Sequence, residues 1–240
     1  MQIYHTLQIG EFHTNHCEDF LIIEDISDTE KLLAVFDGCS SGKESVFASI
    51  LFGKILRNIS KQEFHKSFVV KEKSSIQEKM KAILLQFFNK LKSTKQTLDL
   101  DTYELLSTVI ICLINTENKT AEIVVAGDGL VTVDGKQYDF ESNDKPNYLA
   151  YHLQKSFEDW FTNETQKITI NHYKDLSLAT DGIFAFKNLK NRTKEKPESE
   201  IIKFLLHESV NTTLDAKIKA LNQQYDHLPT DDIAIIRVQN

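Results

Sequence analysis

Only three prolines and eight glycines punctuate the 240 residues. That is too few for long flexible linkers, so the chain is expected to fold as one domain over residues 1–240. Cysteine is scarce too. Cys17, Cys39 and Cys112 make an odd count without the spacing of a disulfide framework, which excludes a stapled scaffold and suits a reducing compartment. Long apolar runs are missing: the most apolar stretch, Thr108 to Ile114 (TVIICLI), falls far short of the roughly 20 residues that span a bilayer. The opening residues, MQIYHTLQIG, lack the charged and apolar regions of a signal peptide, so a cytoplasmic location and no membrane partner are expected. Excess positive charge is also absent. Against 35 Asp and Glu stand 28 Lys and Arg, a net charge of -7, which argues against a nucleic-acid partner held through its phosphates. The local lysine cluster, Lys187 to Lys196, has no interleaved aromatics and reads as a solvated loop.

What is there is apolar patterning of two kinds. Short runs rich in Ile, Val and Leu predict strands at Ile3 to Ile9, Phe20 to Ile26, Lys31 to Phe36, Thr108 to Asn115 and Ala121 to Ala126. Further strands are expected at Leu130 to Val133, Lys167 to Ile170, Leu176 to Thr180 and Ile233 to Val238. The Gly-Asp-Gly between Ala126 and Leu130 predicts a hairpin with a tight turn. Apolar residues three and four apart predict helices over Glu44 to Ile59 and Ser75 to Leu91, and later over Glu198 to Glu208 and Thr213 to Tyr225. Hairpins with helices inserted in pairs favour an α+β layered domain over a doubly wound parallel sheet.

The chemistry lies where strands end. Asp37 follows LLAVF, Asp128 follows EIVVAG, Asp181 follows LSLAT, Asp231 and Asp232 precede IAIIRV, and Glu18-Asp19 precedes FLII. Singly, each reads as a turn or cap, because Asp bonds its own backbone and the glycines after Asp37, Asp128 and Asp181 tolerate positive φ. Together they are harder to dismiss, since strand ends of adjacent sheets converge. Carboxylates brought together repel one another and raise each other's pKa. Divalent cations relieve this, and hard oxygen donors suit Mg²⁺ or Mn²⁺.

In order along the chain, Cys17-Glu18-Asp19, LLAVFDG, Phe47-Ala48-Ser49, Ser107-Thr108, Val125-Ala126-Gly127-Asp128-Gly129, Leu178-Ala179-Thr180-Asp181-Gly182 and Thr230-Asp231-Asp232-Ile233-Ala234 resemble the motifs of the metal-dependent protein Ser/Thr phosphatases of type 2C. The resemblance implies a four-layer αββα sandwich of two antiparallel sheets flanked by helix pairs. It implies two Mg²⁺ or Mn²⁺ ions, with Asp37 bridging both, the Gly38 carbonyl on one, and Glu18, Asp181 and Asp231 completing the second site. Asp19 would orient ligands or waters, and Asp128 with Asp181 would hold a weaker third ion. A hydroxide bridging the metals would attack the phosphorus of a phosphorylated protein substrate.

The chain departs from the family in places. Thr14 stands where the family usually has an Arg that grips phosphate, which leaves His13, His16 or Lys43 to substitute. Cys39, Ser40 and Ser41 replace a Met or His followed by a Gly pair, Asp232 replaces an Asn, and Ala185 stands where some members have another Asp. Cys17 and Cys39 would be either a redox-sensitive pair or buried inert thiols. A zinc site from His13, His16, Cys17 and Cys39 is the weaker use of those residues, since it would compete with Glu18. Three functions stay open: a phosphoserine/phosphothreonine phosphatase, a non-catalytic regulatory or scaffolding relative, and a metal-dependent hydrolase of small phosphoesters.

Overall fold

The computed structural model describes residues 1–69, 74–140, 146–191, 194–208 and 212–240. Its longest apolar runs become strands that are covered on both faces. In β3 (Glu30–Gly38), Leu32, Ala34 and Phe36 face one hydrophobic cluster while Leu33 and Val35 face another. In β4 (Ser107–Asn115), Val109, Ile111 and Leu113 alternate in the same way with Ile110, Cys112 and Ile114. Period-two alternation with apolar residues on both sides is what a buried central strand requires.

These strands belong to an antiparallel sheet ordered β2 (Phe20–Asp25), β3, β4, β5 (Thr120–Ala126), β8 (Gln166–Ile170). The second antiparallel sheet runs β1 (Gln2–Gln8), β12 (Ile233–Gln239), β9 (Asp175–Ala179), β6 (Leu130–Val133), β7 (Lys136–Asp139). A small pair, β10 (Phe186–Asn188) and β11 (His227–Pro229), lies apart from both.

Three apolar clusters fill the spaces between four layers. Leu33, Val35, Ile110 and Cys112 meet Val131, Leu178, Ile236 and Val238 between the sheets. Outside the first sheet pack α1 (Ser45–Ser67) and α2 (Ile76–Thr97), whose Phe52 and Phe87 rings stand edge-on at 5.4 Å, with Phe36 of β3 6.4 Å from Phe52. Each such pair adds about 1 kcal/mol beyond the area it buries. The short α3 (Phe157–Asn163) packs into the same cluster through Phe157 and Trp160. Outside the second sheet lie α4 (Glu198–Ile202), continued by a π-helical turn at Lys203–His207, and α5 (Leu214–Tyr225). The architecture is therefore the α+β sandwich of two antiparallel sheets between helical layers. Among the described residues no helix is long and apolar enough to cross a membrane.

One expectation fails. β5 and β6 do not form a hairpin: β5 pairs with β4 and β8 in one sheet, and β6 pairs with β7 and β9 in the other. Gly127 at φ 114° and Gly129 at φ 126° let the chain step between sheets instead of turning back on itself. The true hairpin follows, β6 to β7, turned by Asp134 and Gly135, both at positive φ as a tight two-residue turn demands.

Candidate active site at the sheet ends

Register brings the carboxylates together. Phe20 pairs with Phe36, so Asp19 lies one step beyond β2 beside Asp37 at the end of β3, and Asp37 pairs with Thr108 of β4. The Thr108 hydroxyl donates to Asp128 Oδ1 at 2.6 Å, which fixes the sheet-changing link. From the other sheet, Thr180 at the end of β9 donates its hydroxyl to Asp19 Oδ2 at 2.6 Å, and accepts the Ala234 N–H at 2.9 Å. Asp181 follows Thr180, and Asp231 and Asp232 lead into β12.

The electrostatics is that of crowded anions. Burial, then the charges of Asp19, Asp181 and Asp128, push Asp37 well above the carboxylate range. Burial also raises Asp19, against the hydrogen bond from Thr180, and it raises Asp128 against the bond from Thr108. Asp181 is pushed up to about 7 by burial, Asp128 and Asp231. Asp19 Oδ1 is buried without a partner. Among the described residues no three His, Cys, Asp or Glu side chains are already gathered around a point as a metal ion would need. The donor set nonetheless fits a hard divalent cation: every carboxylate here offers oxygen, and the bare Asp19 oxygen lacks a proton donor or cation.

Glu18 sits at the edge of this group. Its carboxylate accepts Ser40 Oγ on Oε2 and Ser45 Oγ on Oε1, each at 2.6 Å. Its N–H donates to Asp232 Oδ2 at 2.5 Å, and its carbonyl accepts the Gly38 N–H at 3.2 Å. A Cβ on Gly38 would stand 2.2 Å from the Ser45 carbonyl oxygen and 2.9 Å from that of Glu18, so only glycine lets the three segments close.

Asp232, which stands where the resembled family has an Asn, is a buried hub. It accepts the Gly10 N–H at 2.7 Å and the Glu18 N–H, and its Oδ2 lies 2.9 Å from His13 Nδ1. His13 Nε2 lies 3.4 Å from Asp231. Burial opposes the imidazolium, but Asp232, then Asp231 and Glu18, raise its pKa overall. Lys43 is paired with Asp101, and Thr14 and His16 are exposed. The two thiols have separate partners. Cys17 donates to the Gln8 carbonyl at 3.6 Å, and its pKa is pushed up to about 12 by burial and by Asp232 and Asp19, as for an inert thiol. Cys39 lies 3.1 Å from Ser41 Oγ and packs against the helical core.

Of the three candidates to replace the arginine at Thr14, His13 is the one held against Asp231 and Asp232, while Thr180, Ser40 and Ser45 are contributors not foreseen in these roles. Thr180 was legible as part of LSLATDG; the serines carried no signal, because a hydroxyl reveals its role only through its partner.

The raised carboxylates give a testable pH dependence. Asp181 holds its proton up to about pH 7 in the folded state but only to about 3.8 when unfolded. The folded chain therefore binds more protons between these values, and stability falls as pH rises through that window. In EDTA the melting temperature should drop between pH 5 and pH 8, a loss on the order of a few kcal/mol. Mn²⁺ should raise it more at pH 8 than at pH 5. An Asp181→Asn variant with an unchanged pH slope in EDTA would contradict this.

A family model described as protein phosphatase 2C matches residues 12–222. No curated protein matches the chain by sequence. Among solved structures, a bacterial serine phosphatase bearing a single arginine-to-glutamate mutation aligns with TM-score 0.68 at 18% identity, covering 100% of this chain and 98% of the other. The Ser/Thr phosphatase Stp1 from Staphylococcus aureus aligns with TM-score 0.64 at 15% identity, covering 100% and 94%. RsbX in complex with magnesium aligns with TM-score 0.58 at 16% identity, covering 99% and 94%. With the family model spanning most of its length and the sandwich shared end to end with these structures, the chain belongs to the protein phosphatase 2C family.

Proposed function

We propose that the chain is a single-domain, divalent-metal-dependent phosphatase that hydrolyses phosphoserine and phosphothreonine in proteins. The observation that carries this reading is that Asp19, Asp37, Asp128 and Asp181, drawn from both sheets, are all held above the carboxylate range by burial, while one buried Asp19 oxygen has no partner. A fold that gathers anions at such a cost has a use for a cation there.

In this reading Asp37 and the Gly38 carbonyl would hold one Mg²⁺ or Mn²⁺ ion, and Asp37 with Glu18, Asp181 and Asp231 would hold a second. Asp128 and Asp181 would hold a weaker third. When bound, such ions polarise a phosphoryl oxygen and activate water. Asp19 orients its neighbours: its Oδ2 is fixed by Thr180, which leaves Oδ1 to hold a water or ligand in place. Thr108 does the same for Asp128. His13 is the basic side chain held against Asp231 and Asp232, at the rim where Thr14 replaces arginine. The magnesium complex of the structurally similar RsbX supports the choice of metal.

The test is hydrolysis of phosphoserine and phosphothreonine peptides beside an aryl phosphate, with Mn²⁺ or with EDTA. Peptide turnover that needs Mn²⁺ is expected. Mn²⁺ binding without turnover on any substrate would indicate the scaffolding role, and turnover of small phosphates alone would indicate the small-phosphoester hydrolase.

A further inference from the structure

The residues after Asp37-Gly38 have a definite partner. Ser40 and Ser45 stand at the two ends of the link between β3 and α1, and both hydroxyls point at Glu18, one to each carboxylate oxygen at 2.6 Å. The backbone of Glu18 is held as well, by Gly38 through its carbonyl and by Asp232 through its N–H. Glu18 is thus fixed at both levels, although it lies on a half-exposed loop where a free glutamate would sample several rotamers.

A carboxylate offers about four acceptor directions. One hydroxyl on each oxygen leaves each oxygen a further direction, so the carboxylate is oriented without being used up. Ser45 opens α1, whose N-terminal end also favours a nearby anion. Glycine at position 40 would offer no such donor.

We propose that Ser40 and Ser45 are positioning residues: a pair of hydroxyls that pre-orders the Glu18 carboxylate to receive a divalent cation. The inference rests on the metal-binding part of the proposed function and not on turnover. Ordering Glu18 beforehand spares the bound state that entropy, so loss of either hydroxyl should weaken the cation rather than the chemistry. Hydrogen-bonded partners of metal-ligating carboxylates typically contribute about 10–100-fold in metal affinity.

The experiment is calorimetric titration of the full chain with Mn²⁺ in wild type, Ser40→Ala, Ser45→Ala, Ser40→Thr and Glu18→Gln. Each alanine variant should bind Mn²⁺ about ten-fold more weakly, and Ser40→Thr, which keeps the hydroxyl, should recover most of the loss. In the Glu18→Gln background the alanine changes should have little further effect, because the hydroxyls act only through that carboxylate. A purely structural role would weaken binding in both backgrounds, and that result overturns the proposal. So does equal or tighter Mn²⁺ binding in the alanine variants, which would make the serines a restraint holding Glu18 away. Melting in EDTA separates misfolding from loss of affinity: Ser40 is exposed, and Ser40→Ala should melt as wild type does. A wild-type chain that binds no Mn²⁺ overturns the metal reading itself and this inference with it.

Discussion

Asp37→Asn should lose phosphatase turnover by about a thousand-fold, the scale reached when a charge-stabilising group is removed from an active site. In EDTA the same variant should be more stable than wild type. Both effects have one origin. The Asp37 carboxyl is desolvated at the end of β3 and faces the charges of Asp19, Asp181 and Asp128, all of which disfavour its anion in the metal-free protein. Asn keeps the shape and removes the repulsion, a relief worth about 1–2 kcal/mol in the manner of other relaxed functional sites. With Mn²⁺ the order should invert, because only the wild type gains binding energy from the ion. Turnover assays and melting curves, each with and without Mn²⁺, check both halves. Full activity in the variant would remove Asp37 from the proposed chemistry. A lower melting temperature in EDTA would show that the crowding is compensated within the protein.

The second large effect is on the fold alone. Arg237 of β12 has no solvent exposure. Its guanidinium donates to Asp175 through Nε at 3.0 Å and Nη2 at 2.5 Å, and Nη1 reaches the carbonyls of Leu205 at 3.1 Å and Glu208 at 3.0 Å. Those carbonyls belong to the end of the π-helical turn, where Lys217 also donates, to Phe204 at 2.6 Å and Glu208 at 3.2 Å. Arg237→Met would remove the charge paired with Asp175 and leave that carboxylate with Gln239 and the two carbonyls with Lys217 alone, a loss of about 3–5 kcal/mol for a broken buried pair. Arg237→Lys should recover only part, since a single ammonium nitrogen cannot grip Asp175 along two edges of a planar fork and reach both carbonyls as well. Urea unfolding measures the loss, and one below about 1 kcal/mol would mean that water takes over the role. Turnover per folded molecule should hold, because Asp175 opens β9 while Asp181 lies past its other end.

Much of this architecture was legible because buried strands and amphipathic helices carry period. β3, β4 and β12 stood out as unbroken apolar runs, and α1 and α2 by their spacing, although both helices run past their predicted ends as more polar turns, to Ser67 and Thr97. What was hidden lacked an apolar signature or depended on distant partners. β7 is a mostly exposed edge strand, KQYD, and α3 is too short to show periodicity. Gly-Asp-Gly fits a hairpin and a change of sheet equally well, and only packing against β9 decides. The carboxylates of the candidate site were visible since each ends a strand. The role of Asp232 was hidden because its partners, among them Gly10, His13 and Glu18, lie at the opposite end of the chain.

The double cover of the central strands has a consequence before the fold exists. β3 and β4 can do without charged side chains on most positions because helices shield one face, the other sheet shields the second, and neighbours occupy both edges. During synthesis β3 emerges first, and its partner β4 appears only after all of α1 and α2. Until then β3 offers an unshielded adhesive edge, the kind of segment that pairs with copies of itself. Two amphipathic helices encoded directly after it are the first elements made after β3 that can cover one of its faces. The chain thus carries its own wrapping between the two halves of its stickiest contact.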